Sequence, residues 1–194
     1  VTRRSQEDRS RATRADLVGA GRRLFAERGF QAVPAEEILR VAGVTQGALR
    51  HHFGDERDLF RAVFEELEAE LAADIAGILG GESDTWAAIE LGVSAFLDAC
   101  ERPELLQIAL RDAPAVLGWS VWREIQAEHG LGLIKFAVAQ AVSEGLIRAQ
   151  PVDVLAHLLL GSLIEAALLV AEGAASRRDV EQALYGFLDG MRVR

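Results

Sequence analysis

Residues 34–53 read PAEEILRVAGVTQGALRHHF. Two short helices joined by a tight turn account for that string. Pro34 suits the first position of a helix, where a missing N–H costs nothing, and Ile38, Leu39 and Val41 can then face inward over residues 34–41. Gly43 stands where a chain leaving a helix often needs a positive φ. Thr45 can cap the second helix through its hydroxyl, and Ala48, Leu49 and His52 follow at helical spacing. A helix, a turn containing Gly and a second short helix form the helix-turn-helix pattern. In that motif the second helix lies in the major groove and the first crosses the backbone. On this string alone an ordinary helical hairpin is the better reading; the flanks decide the matter.

Upstream stands RADLVGAGRRLFAERGFQAV, residues 14–33, and downstream GDERDLFRAVF, residues 54–64. Leu24–Phe25, Gly29–Phe30, Ala42–Gly43–Val44, Gly47, Leu49, His52–Phe53 and Leu59–Phe60 occur in combination. With them the first third of the chain resembles the N-terminal DNA-binding domain of the TetR family of bacterial transcriptional regulators. Three positions depart from the family's usual pattern. Arg50 replaces a Tyr that reaches a phosphate, Glu56 (with Arg57 beside it) replaces a common Lys, and Val33–Pro34 replaces a capping Thr.

Half of the 194 residues are hydrophobic, Pro is rare and β-branched runs are scarce, which favours an all-α protein. The formal net charge of −9 argues by itself against a nucleic-acid partner, but the average misleads. Residues 1–54 carry ten Arg against six acidic groups, net +4, and residues 55–194 carry net −13. A positive N-terminal module on an acidic body can bind phosphate with one end only. Lys135 is the only lysine and Cys100 the only cysteine, so an intrachain disulfide and a thiolate metal cluster are both excluded. A reducing cytoplasm is the expected setting, and the polar opening VTRRSQEDRS does not read as an export signal.

In chain order, residues 1–9 read as a solvated arm or, through Arg3, Arg4 and Arg9, a minor-groove contact, the former being favoured. The first helix is expected near Ser10, with Leu17, Ala20, Gly21, Leu24 and Phe25 on one stripe. In the second helix of the turn motif, Thr45, Gln46, Gly47, Arg50 and His51 form the exposed set. Gln46 suits a base edge, most naturally adenine. Thr45, Arg50 and His51 suit phosphates, which fix register without reading sequence, and Gly47 and Ala48 keep the rod slim. Leu49 and Phe53 belong to the core, and for His52 burial is favoured over DNA contact.

One long helix covers residues 55–79, with Leu59, Val63, Leu67, Leu71 and Ile75 inward and Glu65, Glu66, Glu68, Glu70 and Asp74 solvated. It spans roughly 37 Å, and the resemblance implies that it ties a DNA-binding head to a ligand-binding body and moves with ligand. Residues 80–84 form a linker in which Asp84 can cap the next helix; there Cys100 reads as a small core residue. Pro103 opens a further helix expected to end before Pro114. Two more follow, one ending at His129–Gly130 and one running from Leu131 to about Ile147.

Residues 152–172 are nearly all apolar, but His157, Ser162 and Glu165 interrupt them and no basic flank precedes them. They read as a helix buried on all sides and not as a membrane span. Ser176 and Asp179 can form a capping box for a last helix bearing Val180, Ala183, Leu184, Phe187, Leu188 and Met191. Two adjacent apolar helices suggest a four-helix bundle across a twofold axis, as in TetR-like dimers, with Leu155, Leu159, Leu163, Leu184, Phe187 and Leu188 as interface candidates; burial within one chain is the other reading.

No constellation for catalysis, metal or cofactor is visible, since the four His do not fall at ligand spacings with carboxylates. Asp112, His129, His157 and Glu165 are polar groups among apolar helices and need partners. They can be satisfied internally, or Asp112, His129 and Glu165 can line a cavity with Phe96, Trp119, Trp122 and Phe136. An apolar pocket with a few polar anchors is the usual form of a small-molecule site, and its ligand would be mostly apolar. These readings amount to an all-α protein, with a three-helix helix-turn-helix DNA-binding domain over residues 1–54 and a helical ligand-binding and dimerisation domain over 55–194. The expected function is a homodimeric, non-enzymatic, ligand-responsive regulator (a repressor in most of the family) on a near-palindromic double-stranded DNA operator, with a small-molecule effector, no cofactor and no membrane. The alternatives are an all-α interaction module or a helical enzyme without DNA binding.

Overall fold

The computed structural model describes residues 6–193, and these are helical with no strand among them. They form two units: residues through Leu67 with Pro103–Trp122, and Glu68–Arg102 with Arg123 onward. This division differs from a single cut at residue 55, because the first half of one long helix and the segment 103–122 both fold with the N-terminal residues.

In the first unit, helix α1 spans Gln6–Arg28 and starts before Ser10, with Glu7 and Asp8 in its first turn, where acids suit the positive end of the helix. Arg9 therefore sits in α1; Arg3 and Arg4 lie outside the described residues. Helix α2 spans Ala35–Ala42, and Pro34 is its extended N-cap residue, one place earlier than expected. Gly43 ends α2 at φ 69°, a left-handed conformation that costs a glycine little. Helix α3 spans Gln46–Phe53; Thr45 stands at its N-cap, but the Thr45 hydroxyl makes no capping bond. Leu17 and Phe25 of α1, Ile38 of α2 and Leu49 of α3 are buried together with Leu59, Phe60, Val63 and Phe64 of helix α4, Glu56–Leu79. Phe60 packs edge-on against Phe25 and Phe30, with ring centroids 5.3 and 5.1 Å away.

Residues Leu105–Asp112 form widened π-helical turns that run into a short helix, α6, at Ala113–Leu117. Helix α5 (Thr85–Cys100) precedes them in the second unit. Pro114 does not stop the helical run as expected, because it occupies the first turn of α6, where no N–H is missed. The Arg22 guanidinium fastens α1 to this segment through two hydrogen bonds of 2.9 Å to the Glu104 carboxylate.

The second unit holds the rest of α4, α5, most of α7 (Trp119–His129), α8 (Leu131–Ser143), α9 (Val152–Ala171) and α10 (Arg177–Asp189). The Asp84 carboxylate caps α5 by accepting from Ala87 N at 2.7 Å, and the Ser176 hydroxyl caps α10 by accepting from Asp179 N at 3.2 Å. Helix α8 ends before Ile147, because Gly145 turns the chain at φ 72°. Ile147 instead forms an isolated antiparallel bridge with Arg192. Cys100 is buried, and burial pushes its thiol up to about 12, as befits a core residue.

Helix α9 packs on α5, α8 and α10 but is not buried on every side as expected. Val154 and Leu158 are 59% and 63% exposed, and His157 and Glu165 share their stripe. Among the described residues α9 is the helix long and apolar enough, by length and composition, to cross a bilayer.

Candidate nucleic-acid interface and ligand cavity

Helix α3 is held from behind by Leu49 and Phe53, which are 1% and 8% exposed, so its opposite side is fixed outward. That side carries Thr45, Gln46, Gly47, Arg50 and His51, all exposed, with Ala48 half-buried. A Cβ on Gly47 would meet only Thr45 Oγ1, at 3.7 Å, so the chain's own packing does not require glycine there. The effect of Gly47 is a thin outer surface. A helix with its side chains is about 10–12 Å across, and a major groove about 12 Å wide admits such a rod.

The electrostatics of α3 are one-sided. No acid lies in its first turn, and Arg50, His51 and His52 fill its last. His52 is half-buried; desolvation first, then the neighbouring His51 and Arg14, lowers its pKa and favours the neutral ring. Arg14 of α1 lies 5.2 Å from the centroid of the Phe53 ring. Glu37 on α2 accepts from Arg28 at 2.6 Å, which holds its carboxyl below the usual range. Arg57 donates to the Val116 and Leu117 carbonyls at 2.9 and 3.0 Å, so its guanidinium closes the end of α6.

The second unit holds a partly open cavity of about 130 Å³. Its wall is apolar, with Leu71 and Ile75 from α4, Trp86 and Phe96 from α5, Ile134 from α8 and Leu159 from α9. Three polar side chains interrupt that wall: Glu68, Gln126 and Ser162. The Ser162 hydroxyl is satisfied by the Leu159 carbonyl at 2.8 Å. Glu68 is 7% exposed and Gln126 4%, and Gln126 Oε1 has no hydrogen-bond partner. Burial alone pushes the Glu68 carboxyl up to about 7.

Of the expected cavity residues, only Phe96 lies on this wall. Asp112 and Trp122 belong to the first unit. There Asp112 accepts from Phe30 N at 2.8 Å, and the Trp122 indole N–H donates to the Ala109 carbonyl at 3.0 Å. Trp119 and Phe136 are 68% and 72% exposed, Glu165 is exposed and His129 is half-buried away from the wall. Phe136, Glu165 and His129, which belong to the second unit, are not among the residues that line its cavity, and Trp119 belongs to the first unit. The six residues expected at a dimer interface all line the cavity; Leu155, Leu184 and Leu188 are buried within the chain, whereas Phe187 is also 49% exposed. A helix as uniformly apolar as α9 gives no periodic cue to which stripe turns inward, and the outward stripe proves to be Val154, Leu158 and Glu165.

Glu68 was expected in solvent and is the principal site residue that the sequence reading missed. The signal was present: Phe64, Glu68, Leu71 and Ile75 recur every three or four residues, so Glu68 interrupts an inward stripe.

A slender, outward-facing second helix of the turn motif in a three-helix head, joined in sequence to a helical unit with a partly open apolar cavity, defines a helix-turn-helix regulator. Residues 17–63 match the bacterial regulatory proteins, tetR family, and residues 86–191 match the Tetracyclin repressor-like C-terminal domain. The chain belongs to the TetR family. It is 29% identical to the Transposon Tn10 TetC protein of Escherichia coli over 163 residues, covering 84% of this chain and 82% of that protein. It is 24% identical to the HTH-type transcriptional repressor AcnR of Corynebacterium glutamicum over 181 residues, covering 91% of each. A crystal structure of a TetR-family transcriptional regulator from Pectobacterium atrosepticum superposes with a TM-score of 0.86 at 32% identity, covering 98% of this chain and 99% of that one. The protein is therefore a TetR-like, ligand-responsive transcriptional regulator. Regulators of this family are soluble, non-enzymatic DNA-binding proteins that bind operators, typically as dimers, with small-molecule effectors.

Proposed function

We propose that this regulator acts in the cytoplasm as a homodimeric repressor whose two α3 helices enter successive major grooves of a near-palindromic operator. The observation that carries this reading is the outward side of α3, where every exposed residue is small, polar or basic. Gln46 reads a base edge; Thr45, Arg50 and His51 hold phosphates; Gly47 and Ala48 let the backbone approach. Half-sites would lie about 34–36 Å apart or a multiple of that. Val154 and Leu158 on α9 and Phe187 on α10, which is 49% exposed, support pairing through these helices. In this reading Val154 and Leu158 join Phe187 at the interface in place of the buried Leu155, Leu184 and Leu188.

DNA contact is thus assigned within residues 1–54, and effector binding and dimerisation within 55–194. A mostly apolar effector in the cavity would favour a state whose two heads no longer match the operator. The size of that shift is limited by the effector's differential affinity for the two states. An anisotropy titration on DNA from upstream of the regulated gene, at two salt concentrations, tests the reading. Tight binding to one palindrome that weakens steeply with salt is the expected result, and absence of DNA binding at both salts overturns it.

A further inference from the structure

Among the residues that line the cavity, Glu68 is the only one with an ionisable side chain. No Lys, Arg or His faces it among the described residues, so an anionic ligand would meet a carboxylate and no countercharge. Glu68 is nine-tenths buried and its carboxyl has no hydrogen-bond or ion-pair partner among the described residues. On the same wall, Gln126 leaves a buried oxygen unsatisfied. Both groups are acceptors without donors. Burying such groups is costly, and the cost is recovered when a donor arrives. The remaining wall is hydrocarbon and aromatic, and the volume of about 130 Å³ is near that of the engineered ~150 Å³ cavity that takes up benzene.

We propose that this cavity binds a mostly apolar amine of about one ring in size, with its protonated nitrogen on the Glu68 carboxylate. The proposal rests on the effector-cavity reading above and names the chemistry of its ligand. Pairing replaces the desolvated carboxylate's missing partner, so an ammonium gains more here than an alcohol of the same shape. Burial pushes the empty-site carboxyl up to about 7, and a cation draws it back toward the ionised form. Glu68 acts electrostatically on the Cys100 thiol, which burial pushes up to about 12 and so keeps neutral; Arg102 and Arg177 act on the same thiol but do not line the cavity.

The test is calorimetric titration of the full chain at pH 8 with benzylamine, benzyl alcohol and toluene. Benzylamine is expected to bind at least tenfold tighter than benzyl alcohol. That preference is expected to vanish in Glu68→Gln, which keeps its affinity for toluene. Glu68→Asp retains the charge and is expected to keep a reduced preference, which supplies the answer should the Gln variant fail to fold. Equal or tighter binding of benzyl alcohol overturns the amine assignment, as does an amine preference that survives in Glu68→Gln. Binding of toluene alone also overturns it but leaves the effector cavity standing. If none of the three binds, both the amine assignment and the cavity's role fall, while the operator titration still judges the DNA-binding reading separately.

Discussion

The Phe30 backbone N–H donates to the Asp112 carboxylate at 2.8 Å, joining positions 82 apart in the sequence. The other Asp112 oxygen accepts from Gln107 Nε2 at 3.1 Å, so one carboxylate holds both the turn after α1 and the π-helical segment. Gly29 stands beside it at φ 76°, and a Cβ there would lie 2.9 Å from Gln107 Nε2. Segment 103–122 is thus bolted to the head that carries α3.

Asp112→Ala leaves the half-buried Phe30 N–H without its acceptor; a fully buried unsatisfied donor costs about 1–3 kcal/mol, and this one is expected near the lower end. The expected outcome is a fall in Tm of several degrees by calorimetry, with Asp112→Asn losing less because its amide oxygen still accepts. Unchanged stability in Asp112→Ala would mean that water replaces the carboxylate at no cost.

The two polar residues at either end of α3 have separable roles. Gln46→Ala is expected to flatten discrimination at one base pair per half-site, by about 1–3 kcal/mol, and to leave the salt slope unchanged. Arg50→Ala is expected to weaken binding to all sequences alike and to lower the slope of log K against log salt by about 0.9 for each phosphate that is no longer neutralised. Anisotropy titrations on operator and scrambled duplexes at several salt concentrations read both. The opposite pattern would exchange the two assignments.

The exposed stripe on α9 makes a prediction of its own. Leu158→Glu places a charge on a side chain that is 63% exposed in the single chain, so the monomer fold should tolerate it. A dimer burying that position should not, because an unpaired charge in an interface is strongly unfavourable. Light scattering after size exclusion is expected to show the mass falling from dimer to monomer. Operator affinity should fall by about 100-fold or more as bivalency is lost. A variant that remains dimeric excludes this face from the interface.

What the sequence disclosed followed the strength of its local signals. Gly43, Leu49 and Phe53 fixed the turn and the buried side of α3, because a left-handed glycine and a helical apolar stripe each have one reading. The caps at Asp84 and Ser176 were legible for the same reason. Side chains in the second unit were not. In α9 nearly every position is apolar, so Leu155 and Leu158 carry the same local signal, yet one is buried and the other exposed. Aromatic residues misled likewise: by type Trp119 and Phe136 suit cavity walls, but Trp119 belongs to the first unit and Phe136 is 72% exposed. Segment 103–122 joined the first unit through Arg22–Glu104 and Phe30–Asp112, pairings across 82 positions that no local pattern reveals.

Glu68 gives the protein a distinctive pH dependence. Its carboxyl titrates at about 7 in the folded chain against an ordinary value of 4.5, because burial disfavours the charge. Between those values the native state holds a proton that the unfolded state has released. The stabilising contribution is therefore fully present below pH 4.5 and is lost as pH rises through about 7. The difference amounts to about 3 kcal/mol. Glu37 and Asp153, whose carboxyls Arg28 and Lys135 hold below the usual range, act with the opposite sign and in more acid solution, so the windows do not overlap. Urea unfolding at pH 5, 6, 7 and 8 is expected to show the wild type weakening across this range relative to Glu68→Gln, which has no proton to lose. Parallel curves for the two proteins would mean that the carboxylate is solvated in the folded state, and its place on the cavity wall would have to be abandoned.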